Sequence, residues 1–118
     1  STNNIITAST APSFSTGAGS IGTVSAGATV SLSVAASSDS SVTITETTSV
    51  LTSNANTPAA TMNLSLASNG AITGTAPSPT NTTTYTFTLR ATDAESQTVD
   101  RTFTITVSVG ATGGGQFN

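Results

Sequence analysis

The sequence has no cysteine, no histidine and no tryptophan, and its only basic residues are Arg90 and Arg101, so lysine is missing as well. Each absence removes a class of function. Without cysteine there is no disulfide framework and no thiol chemistry. Without histidine the commonest general base is gone, and the many serines have no partner to make any of them a nucleophile. Two arginines cannot neutralise a phosphate backbone, which excludes nucleic acid as a partner, and they cannot form a polybasic membrane-surface patch. Acidic residues are nearly as scarce. Asp39, Glu46, Asp93, Glu95 and Asp100 are the only carboxylates, the net charge is −3 and the pI is near 4.1. A glycosidase needs two carboxylates facing each other across a cleft, and only these five are there to supply them. No glycine-rich stretch leads into a helix, so there is no phosphate loop. No apolar run approaches the roughly 20 residues of a membrane helix. The sequence therefore reads as that of a non-enzyme, with no catalytic, cofactor-binding or metal-ligating residue expected.

What the sequence does have is hydroxyl. Serine and threonine supply 46 of the 118 residues, while charged residues make up 6%. A surface solvated by hydroxyls in place of lysine and glutamate points to an extracellular or particle-surface setting. Low charge with modest hydrophobicity is also the composition of disorder, but a strict two-residue period argues against it. Tyr85-Thr-Phe87-Thr-Leu89 and Phe103-Thr-Ile105-Thr-Val107 place one apolar row and one hydroxyl row on opposite faces of a strand. The same pattern recurs at Val30, Leu32 and Val34, at Val42 and Ile44, and at Leu64 and Leu66. With Ile72 added and Tyr85 left aside, these thirteen apolar residues are the predicted core. Phe14 would anchor one end of it.

Taken in order, residues 1–10 read as a linker or an added edge strand. The adjacent Ile5 and Ile6 there call for burial at a junction between copies or in the domain's own sheet. Residues 11–109 form one domain. Its short strands are separated by turns every 8–12 residues, which predicts an all-β, immunoglobulin-like antiparallel β-sandwich of 7–8 strands. Gly17, Gly19 and Gly22 suggest a flexible crossing, and residues 61–67 suggest a strand. Asn69-Gly70 predicts a two-residue type I′ hairpin with positive φ at both positions. Pro77 and Pro79 mark a crossing between sheets. Residues 110–118 are a glycine-rich linker. The chain opens on serine without a signal segment, as a piece of a longer protein or a processed one would.

Several stretches carry a family resemblance. Pro12-Ser-Phe14, then Leu66-Ala-Ser-Asn-Gly70-Ala-Ile-Thr-Gly74-Thr, then Tyr85-Thr-Phe87-Thr-Leu89-Arg-Ala-Thr-Asp93 and Arg101-Thr-Phe103-Thr-Ile105-Thr-Val107 resemble the putative-Ig, cadherin-like domains of bacterial and phage surface proteins. The similarity runs over residues 11–109. Where that family carries Leu-Pro before the middle hairpin, this chain has Met62-Asn-Leu64. The exit Gly113-Gly-Gly-Gln-Phe117-Asn is similar to junctions in marine phage structural proteins. The resemblance implies a repeated structural module of a virion surface: a fibre, a tail or a capsid decoration. Its partners would be other copies or other virion structural proteins. The alternative is an adhesin domain that binds a host-surface glycan or receptor. Cadherin relatives hold calcium between carboxylates, so Asp93, Glu95 and Asp100 are the residues to weigh for calcium, against the plainer reading of a solvated turn with Asp100 paired to Arg90 or Arg101. Asn63-Leu-Ser65 and Asn81-Thr-Thr83 match the N-glycosylation pattern, with Asn63 predicted mid-strand and a poor acceptor. Tyr85 is a candidate corner tyrosine whose hydroxyl bonds back to the backbone.

Overall fold

The computed structural model describes residues 10–52 and 61–110. Nine strands occur among them: β1 (Ser13–Phe14), β2 (Gly19–Ser25), β3 (Thr29–Ser33), β4 (Ala36–Ser37), β5 (Val42–Glu46), β6 (Ser65–Leu66), β7 (Ala71–Thr75), β8 (Thr83–Asp93) and β9 (Thr98–Ser108). They form a four-stranded sheet in the order β2-β9-β8-β5, a three-stranded sheet in the order β3-β7-β6, and a short β1-β4 pair. The two larger sheets face each other across one core, and the all-β sandwich is as predicted. Ile5 and Ile6 lie outside the described residues, as do all but Thr10 of the predicted 1–10 segment and all but Gly110 of the predicted 110–118 linker.

β8 and β9 are the longest strands, eleven residues each, because their alternation runs unbroken. Their register pairs Phe87 with Phe103 on the inner face and sets Thr84 opposite Thr106, Thr86 opposite Thr104 and Thr88 opposite Thr102 on the outer face. The hydroxyls of Thr84 and Thr106 share a hydrogen bond of 3.0 Å, and those of Thr88 and Thr102 one of 2.9 Å. Cross-strand threonine pairs of this kind add to sheet stability.

Ten of the thirteen predicted core residues are buried: Val30, Val34, Ile44, Leu64, Ile72, Phe87, Leu89, Phe103, Ile105 and Val107. Leu32, Val42 and Leu66 are only partly buried and pack on the margin. Leu32 lies against Gly22, which has no side chain to cover it. Phe14 is buried as predicted, its ring edge-on to Phe103 at 5.4 Å. Leu51 and Met62, both fully enclosed, complete the core.

Three local expectations are corrected. Residues 19–25 are strand β2, not a flexible crossing, and β2 runs parallel to β9, so one pair in the sandwich is not antiparallel. Gly22 falls where that ladder shifts register, between Ser20 and Thr23. Residues 61–67 are not one strand. Asn63 has φ of 57°, Met62 and Leu64 donate their N–H groups to the carbonyls of Val50 and Leu51, and only Ser65–Leu66 pairs with β7. The Asn69-Gly70 turn is not type I′. Gly70 alone has positive φ (93°), its N–H bonds the Ala67 carbonyl, and the Ala67 N–H bonds the Ala71 carbonyl. This is a three-residue loop, a type I turn closed by a left-handed glycine bulge.

Candidate functional site

The carboxylates are the natural place to look for chemistry, and each has a defined setting. The β8–β9 hairpin repeats the form of the β6–β7 hairpin. Ser96 N–H bonds the Asp93 carbonyl, Asp93 N–H bonds the Gln97 carbonyl, and Ser96 takes the left-handed position with φ of 66°. Asp93 stands at the first position of this loop, 5% exposed, and its Oδ1 accepts the N–H groups of Glu95 (3.0 Å) and Gln97 (2.8 Å). An aspartate at such a position satisfies backbone donors that the tight turn leaves over.

Around this turn the fold gathers Asp39, Asp93 and Glu95, whose carboxylate oxygens lie within 4.8 Å of one another. Ser38 Oγ sits between them, 2.9 Å from the Thr10 carbonyl, 3.1 Å from Asp39 Oδ1 and 3.4 Å from Asp93 Oδ2. Its single proton is shared among three acceptors. Thr10 N–H donates to Asp39 Oδ2 at 3.1 Å, and Ser40 Oγ donates to Glu95 Oε1 at 2.9 Å while accepting the Ala94 N–H. The cluster joins three segments distant in sequence at one end of the sandwich. Asp100, grouped with Asp93 and Glu95 in the sequence reading, is not part of it. Alternation along β9 puts Asp100 on the outer face, where it meets Arg90 with paired contacts of 2.8 and 3.0 Å. Asp39 takes its place, brought there by the β4–β5 turn, a contact that spacing along the chain does not reveal. Three oxygen donors with hydroxyl and carbonyl groups between them have the hard-ligand character that calcium prefers.

Glu46 forms the second arrangement and was not singled out by sequence. Its Oε2 accepts from Thr48 Oγ1 (2.6 Å), Val50 N (2.7 Å) and Leu51 N (2.9 Å), and its Oε1 accepts from Thr52 N (3.0 Å) and Thr52 Oγ1 (2.9 Å). Partial burial pushes this carboxyl up, but the Thr48 hydroxyl and the N–H groups of Leu51, Val50 and Thr52 outweigh it, and the group titrates below the usual glutamate range. The signal in the sequence was a lone acid followed by Thr48 and Thr52, a weak one in so threonine-rich a chain. The carboxylate folds the segment after β5 around itself and so delivers Leu51 to the core.

The two arginines are also placed structurally. Arg90 holds Asp100, whose carboxyl is drawn below its ordinary range by that guanidinium. Arg101 Nη1 donates to the carbonyls of Phe14 (3.2 Å) and Thr16 (2.8 Å), and its guanidinium lies 5.8 Å from the Phe14 ring centroid. It latches the first strand onto the four-stranded sheet. Tyr85 is half-buried in β8, and its hydroxyl makes no bond to any described residue, so it is not a corner tyrosine. Both sequon asparagines are exposed. Asn63 sits in a left-handed kink, not mid-strand, and the Thr83 hydroxyl donates to the Asn81 carbonyl at 2.7 Å. No ligand-sized pocket opens among the described residues.

Solved structures share this architecture. The titin M10–Obscurin like 1 Ig complex matches at 19% identity, TM-score 0.53, covering 87% of this chain and 98% of that one. The titin domains z1z2 in complex with telethonin match at 20% identity, TM-score 0.52, over 88% of this chain and 51% of that one. The Sidekick-1 immunoglobulin domains 1–5 match at 21% identity, TM-score 0.54, covering 87% of this chain, which spans 21% of that protein. At these identities the likeness is one of fold. No curated protein matches the sequence. The family model described as Putative Ig domain matches residues 4–108. The chain belongs to that family, and its sandwich is an immunoglobulin-like domain.

Proposed function

We propose that this domain is a non-enzymatic structural module of a surface assembly, and that the assembly is a phage virion, as a fibre, tail or capsid-decoration domain. The observation that carries the non-enzymatic reading is the use made of the scarce charged groups. Arg101 binds the Phe14 and Thr16 carbonyls, Arg90 and Asp100 hold each other, Glu46 is consumed by its own loop, and Asp93 closes a hairpin. Side chains spent on internal bonds serve to shape and stiffen a module. The outer face of β8 and β9 offers threonine hydroxyls and one cancelled ion pair, a neutral surface suited to contact with other protein surfaces. The immunoglobulin-like domains of titin in the structures above are found with protein partners, Obscurin like 1 and telethonin. Protein partners, copies of itself among them, are the proposal here too. The virion setting and the extracellular location rest on the sequence resemblance to phage surface proteins.

The test is labelling of intact particles with an antibody against the folded domain, followed by imaging. Regularly spaced label on the particle exterior is the expected result. Label confined to host cell surfaces, with binding to a host glycan, would favour the adhesin alternative and overturn the virion reading.

A further inference from the structure

Asn69-Gly70 is the only Asn-Gly pair in the sequence, and the fold needs both residues. Gly70 sits at φ of 93°, and a Cβ there would be driven into the Val34 carbonyl oxygen. Asn69 Oδ1 accepts the Ala71 N–H at 3.1 Å, which turns the side-chain amide back along the loop toward its own backbone. Asn-Gly is also the dipeptide in which the following backbone nitrogen, unhindered by a Cβ, most readily attacks the asparagine amide carbon. In the closed hairpin that nitrogen is engaged, donating its hydrogen to the Ala67 carbonyl at 2.9 Å. The loop is stitched to its surroundings as well. The Val34 N–H bonds the Gly70 carbonyl at 3.0 Å, and the Ile44 N–H bonds the Ser68 carbonyl at 2.8 Å.

We propose that Asn69 is a protected deamidation site, in which the native hairpin withholds the Gly70 nitrogen and opening of the hairpin releases it to react. Once open, the Gly70 nitrogen gives its proton to solvent base and attacks Asn69 Cγ. The side-chain amide nitrogen takes up a proton from water and leaves as ammonia, closing a five-membered succinimide. Water then adds to one of the two ring carbonyls. Opening at the side-chain carbonyl leaves aspartate at position 69, and opening at the main-chain carbonyl leaves isoaspartate. The net change is one water consumed and one ammonia released, with no change of oxidation state.

The two products differ for this fold. Aspartate keeps an acceptor oxygen for the Ala71 N–H and the original backbone length. Isoaspartate routes the backbone through the side chain, adding a methylene between two residues whose spacing is set by the bonds to Ala67, Val34 and Ile44. The first product can refold the hairpin, and the second cannot seat Gly70. The site is therefore a one-way record of hairpin opening in a chain that, as an exposed surface module, would have to last without replacement.

The experiment is incubation of the full chain in mildly alkaline buffer, native and in denaturant, followed by peptide mapping for aspartate and isoaspartate at position 69. Reaction proceeds through the open fraction, so the native protein should react at least about tenfold more slowly than the unfolded chain. Equal rates would overturn the protection. The isoaspartate fraction, separated and returned to native buffer, should melt well below the parent, while the N69D variant should melt close to it. An isoaspartate fraction that melts like the parent would overturn the claim that the seat is lost.

Discussion

Ser96 and Gly70 hold the same left-handed position in two hairpins of the same form, and only one of them suits it. A side chain in that conformation costs about 1–2 kcal/mol, which glycine avoids at the expense of more freedom in the unfolded chain. Ser96→Gly should therefore stabilise the domain by about 0.5 kcal/mol, seen as a higher denaturation midpoint at unchanged slope. A lower midpoint would mean that the serine hydroxyl holds the turn in some further way. Gly70→Val tests the other side of the comparison. It combines left-handed strain with a collision against the Val34 carbonyl, and should cost more than about 3 kcal/mol in the same measurement. Glu46 makes a pH prediction. Its carboxyl titrates lower in the folded than in the unfolded chain, so its contribution is complete above the unfolded value and is lost as pH falls through the folded one. Glu46→Gln replaces one acceptor oxygen with an NH₂ that faces donors, and should cost about 2 kcal/mol at neutral pH. The variant should also lose part of the parent's acid sensitivity. A parallel pH profile for both proteins would show that the cradle does not act through its charge.

At the scale of the element, the Asp39–Asp93–Glu95 cluster ties the β8–β9 hairpin to the β4–β5 turn and to Thr10. Each of these carboxylates already has hydroxyl or N–H partners, so the expectation is that EDTA leaves the melting temperature unchanged. A rise of several degrees with added calcium would instead identify the cluster as a cation site. The elements also show which signals a sequence carries. β8 and β9 were legible because Phe87, Leu89, Phe103, Ile105 and Val107 repeat at a period that only a half-buried strand explains. β2 was not, because Gly19 and Gly22 read as punctuation when they in fact accompany a register shift against β9. The hairpin at Asn69 was legible as a place but not as a type, since Asn-Gly serves both a two-residue loop and a three-residue loop with a bulge. The carboxylate cluster was half legible: Asp93 and Glu95 share a turn, whereas Asp39 arrives only through the fold.

For the whole molecule, the core is continuous from Phe14 through Phe103 to Phe87, with the last two rings 6.3 Å apart and fully buried. Phe103→Ala opens a void at the centre of that line and should cost about 3–5 kcal/mol, read as a large drop in melting temperature. A melt matching the parent would remove Phe103 from the core. The parallel pairing of β2 with β9 has a mechanical consequence. Thr10 is tied to Asp39 beside the β8–β9 turn, while β9 runs away from that turn to Ser108, roughly 30 Å distant at the rise of an extended strand. A tension applied between Thr10 and Gly110 would draw β2 one way and β9 the other along their common axis. The ladder from Gly19–Phe103 to Ser25–Ser108 would then be loaded in shear, its hydrogen bonds sharing the force instead of parting one by one as in a peeled hairpin.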